Sequence, residues 1–344
     1  ARRLANAIHG SKRRPFRASC PPLQGCPVGV TSPRSAWALR NKINSERIAP
    51  MVPSAYSAAD AASLPSMTRS SHRGYGFRWG GNYQWRLGRL EVQMHVIAGV
   101  DLAWMGSRNP TAIATGRVEH RAVVVTSVVE RLYGTQSVID ALDDVVDLHG
   151  IAIDGPLIIK NQTGQRICER ELGMTYGGRK ASCHTSNLDR FPDAAGTQLS
   201  SHLSRAGFQH LSSPEGRWQL ECYPHPALIE IFGLRERLAY KKGTVLQKRS
   251  GQIRLANLIC SLGESEVMCL RVPDSFQYFM DEQRISLLRG DQLKHNEDVL
   301  DAIVCMYIGA LYQSGQDHTV FGTTMNGYIY VPTKQCLPEA GGLG

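Results

Sequence analysis

Five carboxylates stand where a folded chain could gather them. Asp101 ends the apolar run Val96-Ile97-Ala98-Gly99-Val100, Asp154 ends Gly150-Ile151-Ala152-Ile153, and Glu221 follows Trp218-Gln219-Leu220 just before Cys222-Tyr223-Pro224. Asp298 and Asp301 lie three residues apart in Asn296-Glu297-Asp298-Val299-Leu300-Asp301-Ala302-Ile303-Val304. An acid that closes a buried strand is desolvated, which is tolerable only if it is paired or bound to a cation. Two such acids on neighbouring strands repel each other, and a divalent ion relieves the repulsion. Asp298 and Asp301 would share one helical face, with Cβ atoms roughly 5–6 Å apart, so they could share the ion. Carboxylate oxygens suit Mg²⁺ or Mn²⁺ better than zinc. A centre of this kind activates water for in-line displacement at phosphorus, so the expected reaction is hydrolysis of a nucleic-acid phosphodiester bond.

Each acid also has a plainer explanation. Asp298 and Asp301 could be first-turn acids favoured by the positive end of a helix capped by Asn296. Asp154, before Gly155-Pro156, invites an Asx turn. Glu221 could be a metal ligand, the partner of an arginine, or an exposed strand-end acid. His225, between Pro224 and Pro226, is either a proton carrier near neutral pH or a turn residue. Arg170 sits in the polar run Glu169-Arg170-Glu171, where solvation is the usual outcome and a phosphate contact the alternative. Residues 235–254 hold Arg235, Arg237, Lys241, Lys242, Lys248, Arg249 and Arg254 against the single acid Glu236. Lys241, Lys242, Lys248 and Arg249 are therefore candidates to guide a nucleic-acid backbone, although a solvated helix surface explains them as well. Cys168 with Cys183-His184 is the nearest approach to a thiolate and imidazole cluster, without the short paired spacings of a zinc site.

The elements that must position these groups begin near Met94. The run ending at Asp101 reads as a buried central strand. Ala112–Thr115 and Ala122–Thr126 read as two further strands of an antiparallel meander. A helix is predicted over 136–148 with Thr135 as its cap, followed by the strand ending at Asp154, parallel to the first. A short helix over 166–172 leads into a long loop with Gly177-Gly178-Arg179-Lys180, and another helix over 198–205 stops at Gly207. After the strand ending at Glu221, Pro224 and Pro226 break the ladder and 227–232 starts a helical turn. Helices are predicted over 245–262, 276–288 and from Asn296 to Tyr312, with Leu300, Ile303, Val304, Tyr307 and Leu311 as the buried stripe of the last. Residues 327–332 form a final strand.

The 344 residues are 42% hydrophobic, enough for a substantial core. No run reaches the roughly 18 apolar residues of a membrane span and no apolar signal core precedes the first strand, so a cytoplasmic protein without membrane contact is expected. Nine cysteines, an odd number, fit reduced core residues. The net charge of +9 is unevenly placed: residues 1–95 hold 15 Lys and Arg against 3 Asp and Glu, and the remainder 24 against 27. Residues 1–93, rich in Arg, Ser, Pro and Ala, read as a largely disordered basic leader, 94–333 as the folded domain and 334–344 as a flexible tail. An arginine-rich leader also suits a transit peptide, but this one exceeds the usual length; a functional start near Met94 is the simpler reading. Trp37, Trp79 and Trp85 with Tyr75 and Tyr83 could instead form a small docking element.

In this order, Gly99-Val100-Asp101, Ile153-Asp154-Gly155-Pro156, Cys168-Glu169-Arg170-Glu171-Leu172, Glu221-Cys222-Tyr223-Pro224-His225-Pro226 and Asp298-Val299-Leu300-Asp301-Ala302 resemble domain of unknown function 429 over about residues 96–332. Members are predicted nucleases of the ribonuclease-H-like fold. The resemblance implies an α/β architecture, a mixed β-sheet flanked by α-helices, with acids ending the first and fourth strands and on a late helix. It carries Asp101, Asp154 and Asp301 over as the metal-binding core, Asp298 as alternative or fourth ligand, and Glu221 as an added candidate. Gly155, where many relatives have alanine, and the basic leader depart from the pattern. Two further functions remain open: a non-catalytic binding module of the same fold, and an actin-like phosphotransferase, for which Gly177-Gly178 and Gly322-Thr323-Thr324 would be poor phosphate loops.

Overall fold

A computed structural model describes residues 94–105 and 109–333. The expectations of a disordered leader, a docking element around Trp37, Trp79 and Trp85, and a flexible tail all lie outside the described residues. Strand β1 (His95–Asp101) is followed by β2 (Thr111–Glu119), β3 (Ala122–Leu132), α1 (Thr135–Asp143) and β4 (Leu148–Asp154). Helix α2 (Ile167–Tyr176), α3 (Ala195–Arg205), the short β5 (Gln209–His210), β6 (Trp218–Cys222) and α4 (Pro224–Phe232) come next. Then follow α5 (Val245–Ser261), β7 (Cys269–Arg271), α6 (Asp274–Gln277), α7 (Glu282–Leu287), α8 (Gly290–Gln313), β8 (His318–Thr323) and β9 (Gly327–Pro332).

The strands form one mixed sheet in the order β7-β3-β2-β1-β4-β6-β9-β8, with β5 beside β6. The meander of β1, β2 and β3 is antiparallel, whereas β4 and β6 extend the sheet parallel to β1. Alternation along the strands splits the core into two layers. One face carries Ala98, Val100, Ile151 and Ile153 against Val138 and Leu142 of α1 and Leu199 and Leu203 of α3. The other carries Ile97, Ala152 and Leu220 beneath α8.

Helix α8 is buried along its length from Asn296 to Tyr312, a helix enclosed on all sides rather than amphipathic. Gly99 makes this possible. A Cβ there would lie 2.0 Å from the Met306 backbone nitrogen and 2.3 Å from the Ala302 carbonyl oxygen, so only glycine lets α8 lie so close to β1. Gly309 meets Ile97 while Gly99 meets Met306, so the helix runs opposite to the strand. Its N-terminal half therefore overhangs the strand end at Asp101.

Several boundaries differ from the sequence reading. Helix α1 stops at Asp143, because β4 begins at Leu148, and Val146 is exposed rather than packed on a helical face. Thr135 is its first helical residue, with no side-chain cap bond at Gly134. The predicted 276–288 helix is two pieces, α6 and α7, with Asp281 capping the second through the Arg284 amide. Proline at N1 starts α4 at Pro224, earlier than read. The largest correction concerns α8. It begins at Gly290 rather than Asn296, so Asp298 and Asp301 are mid-helix acids and the first-turn explanation falls away. Asn296 is no cap; its side chain donates to Gln252 and accepts from Arg284. Among the described residues no helix is long and apolar enough to cross a membrane.

Candidate functional site

Sheet register pairs Asp101 directly with Asp154, and Asp154 with Cys222. Partners in register point to the same face, so both aspartates emerge on the α8 side. Asp298 and Asp301, fully buried on α8, meet them there. Asp298 lies near enough to Asp101 for the two carboxyls to repel each other. Lys241 Nζ stands 2.8 Å from Asp301 Oδ2 and 3.8 Å from Asp154 Oδ2, so no more than the sum of those distances separates the two oxygens. Four carboxylates from two strands and one helix thus occupy one rim of the sheet.

They do not form a ready-made ligand shell. Among the described residues no group of three or more His, Cys, Asp or Glu side chains is disposed to hold a metal ion. Two lysines hold part of the space: Lys241 at Asp301, and Lys294, which pairs with Asp298 and lies 3.0 Å from Glu297. Tyr240 donates a hydrogen bond of 2.6 Å to Asp301 Oδ1. If all were ionised, four aspartates and Glu297 would face two ammonium groups, leaving three negative charges unbalanced. Burial, then mutual repulsion offset by Lys241, pushes the Asp154 carboxyl up to about 8. Burial and Asp101, opposed by Lys294, push Asp298 up to about 9. Asp301 is also raised, by burial first. Among the described residues Asp298 Oδ2 has no hydrogen-bond partner. Asp301 Oδ2 has the Lys241 ammonium beside it but no well-directed hydrogen bond. Crowded, under-satisfied carboxyl oxygens are what a hard divalent cation could neutralise, but in this arrangement Lys241 and Lys294 stand in its place.

Glu221 does not join this cluster. It pairs in register with Ile153, one residue out of phase with Asp154, and so leaves the sheet on the opposite face. There Arg166 grips it with two hydrogen bonds, of 2.9 and 2.6 Å, while the Leu157 amide donates a third. Arg166 also binds Glu169 at 2.8 Å, and Glu169 accepts further bonds from the Ser186 amide and hydroxyl. Burial pushes the Glu221 carboxyl up and Arg166 pulls it back. The arginine partner was one of the sequence alternatives, and it is what the fold supplies, through a residue the sequence reading had not singled out.

The basic candidates separate as well. Lys241 is half-buried and committed to Asp301 and Asp154 rather than free for phosphate. Arg249 donates to the Leu287 and Leu288 carbonyls at the end of α7, a structural role. Lys242 and Arg237 line a cavity that opens beside Asp101 and Asp154. Arg170 and Lys248 do not line it. His225 lines the same cavity, but burial, then Lys241, Arg237 and Lys242, hold its pKa down at about 3. It is a neutral imidazole, not a proton carrier near neutral pH. Cys168 is buried and Cys183 half-buried, both thiols pushed up to about 12 chiefly by burial, and among the described residues they form no group with His184 disposed to hold a metal ion. Gly322 lies in the β8–β9 hairpin, where its amide binds Glu171 and a Cβ would strike the Gly327 carbonyl. That is a packed turn rather than a phosphate loop. At Gly155 a Cβ would meet Leu102 and Trp104 at 3.4–3.5 Å, ordinary contact, so an alanine fits there.

Lys294, missed from sequence, was readable as the i−4 partner of Asp298 and the i−3 partner of Glu297. Tyr240, which binds Asp301, gave no such local signal. A family model described as "Protein of unknown function (DUF429)" matches residues 99–325, about two thirds of the chain. No curated protein and no solved structure matches.

Proposed function

We propose, on the premise that this chain belongs to the DUF429 family, that it is a nuclease of the ribonuclease-H-like class that hydrolyses phosphodiester bonds of nucleic acid with Mg²⁺ or Mn²⁺. One observation carries the reading: Asp101, Asp154, Asp298 and Asp301, far apart in sequence, converge on one sheet rim with more carboxyl groups than Lys241 and Lys294 can pair. Burying uncompensated carboxylates costs stability and is tolerated where a cation or a reaction needs them. The sheet order, an antiparallel meander continued by parallel β4 and β6, supports the fold assignment.

Asp101, Asp154, Asp298 and Asp301 would hold the metal, Asp301 oriented by Tyr240. Bound there, divalent ions supply an activated water and stabilise the departing oxygen. Lys241, paired with Asp301 and near Asp154, would help keep those carboxylates ionised for the metal they would hold. Lys242 and Arg237 on the cavity wall would hold the strand's phosphates. Glu221 would brace the cavity floor through Arg166 and not touch the reacting atoms.

The pairing of Lys241 and Lys294 with the aspartates favours a second reading, a non-catalytic binding module whose acids are neutralised from within. Labelled DNA and RNA oligonucleotides incubated with Mg²⁺ or Mn²⁺ decide between them. Cleavage lost on chelation and in Asp154→Asn is expected for the nuclease; strand binding with no divalent-dependent cleavage would leave the module.

A further inference from the structure

The cavity beside the carboxylates has a volume of about 270 Å³. That is just under the range of about 300–1,000 Å³ typical of small-molecule pockets, room for one nucleotide rather than a duplex. Its walls include the turn after β1 with Trp104, residues 182–184, the start of α4 and residues 237–242, together with Asp101, Asp154 and the Arg166–Glu221 pair. Trp104 is half-buried, held by the bond from the Ala195 amide to its carbonyl, and its ring stands edge-on to His184 with centroids 6.4 Å apart. His225 is more than nine-tenths buried in the wall, and among the described residues its Nδ1 has no hydrogen-bond partner. Arg237, Lys241 and Lys242 come from one segment, and the other cation of the lining, Arg166, is taken up by Glu221 and Glu169. Lys242 continues into a second concavity with Arg254, and Arg237 into a third with Arg235 and Arg254.

A mixed apolar and polar chamber with one cationic lip matches a particular ligand: an aromatic base on a sugar, with a phosphate at one end and further phosphates leading away. We infer that the cavity seats the terminal nucleotide of a single strand, its base against Trp104 and His184, its phosphate at Lys242 and Arg237, and the strand leaving toward Arg254. The unpartnered Nδ1 of His225 is the polar group that a base edge or sugar hydroxyl would satisfy. The consequence for the proposed reaction, on which this part of the inference rests, is that the protein works from strand ends.

The test uses the full chain without divalent ions, so that binding is measured apart from cleavage. Calorimetry with adenosine 5′-monophosphate is expected to show one saturable site, with inorganic phosphate binding more weakly. Trp104→Ala should weaken the nucleotide about tenfold through lost stacking. Lys242→Glu, at an exposed position where folding is not at stake, should weaken it comparably. A linear single strand should displace the nucleotide and a closed circular one should not. The inference is overturned if phosphate binds as well as the nucleotide, if neither substitution changes affinity, or if circular strands compete equally. Nucleotide binding without any cleavage would sink the nuclease and keep the pocket; cleavage of circular strands without nucleotide binding would do the reverse.

Discussion

Two buried charge networks share one end of the sheet and differ in how completely they are satisfied. On one face Arg166 lies between Glu221 and Glu169, and the Leu157 and Ser186 amides and the Ser186 hydroxyl complete the carboxylates' bonds. On the other, among the described residues, four aspartates outnumber the two lysines that pair with them, and Asp298 Oδ2 has no hydrogen-bond partner. Both sets were strand-end or helix acids of the same apparent kind in the sequence. The closed network has the character of structure, because nothing more can be added to it. The open one has the character of a site, since a satisfied buried network rigidifies a fold and an unsatisfied one awaits a ligand.

Isosteric substitutions should split the two networks by sign. The largest stability effect is expected for Glu221→Gln, which leaves the Arg166 charge short of a partner: about 3–5 kcal/mol lost in urea unfolding. Asp154→Asn, by contrast, should leave stability unchanged or improve it, while abolishing divalent-dependent cleavage by about a hundredfold or more. If Asp154→Asn unfolds the protein as readily as Glu221→Gln, the contrast is broken.

A smaller effect follows from pH. Asp154 and Asp298 are raised from 3.8 to about 8 and 9, so the folded state binds more protons than the unfolded state between these values. The stability they contribute is present below about pH 4 and is lost as pH rises through 8 to 9. In chelator, Tm should fall over that window, and Mg²⁺ at ten times its Kd should restore about 3 °C at pH 9 and less at pH 6. A Tm insensitive to Mg²⁺ at both pH values would count against an open cation site. Removing a built-in counter-ion with Lys294→Gln should tighten Mg²⁺ several-fold by calorimetry, because the ammonium competes for Asp298. The smallest change belongs to Gly155→Ala beside the cavity, expected within about 1 kcal/mol because its Cβ finds ordinary contacts.

Periodicity and composition were sufficient for the central meander, the parallel strand ending at Asp154, the stripe of α8 and the acids themselves, because strand-end carboxylates and helical spacing are local patterns. They were insufficient for β5, β7 and β8, short or edge strands whose pairing is decided by distant partners. The start of α8 was placed six residues late because Asn296 looks like a cap, whereas its side chain is engaged by Gln252 and Arg284 from other helices.

What the sequence alone determined is which residues are acids at the ends of apolar strands and which helix carries two more. Tertiary structure decided their meaning. Alternation along a strand makes a one-residue difference in register a change of face, so Asp154 meets Asp101 while Glu221 meets Arg166. Which face holds the open charge depends on where Gly99 admits α8 and where Lys241 and Lys294 arrive. Those are distances between segments remote in the chain, and no local pattern encodes them.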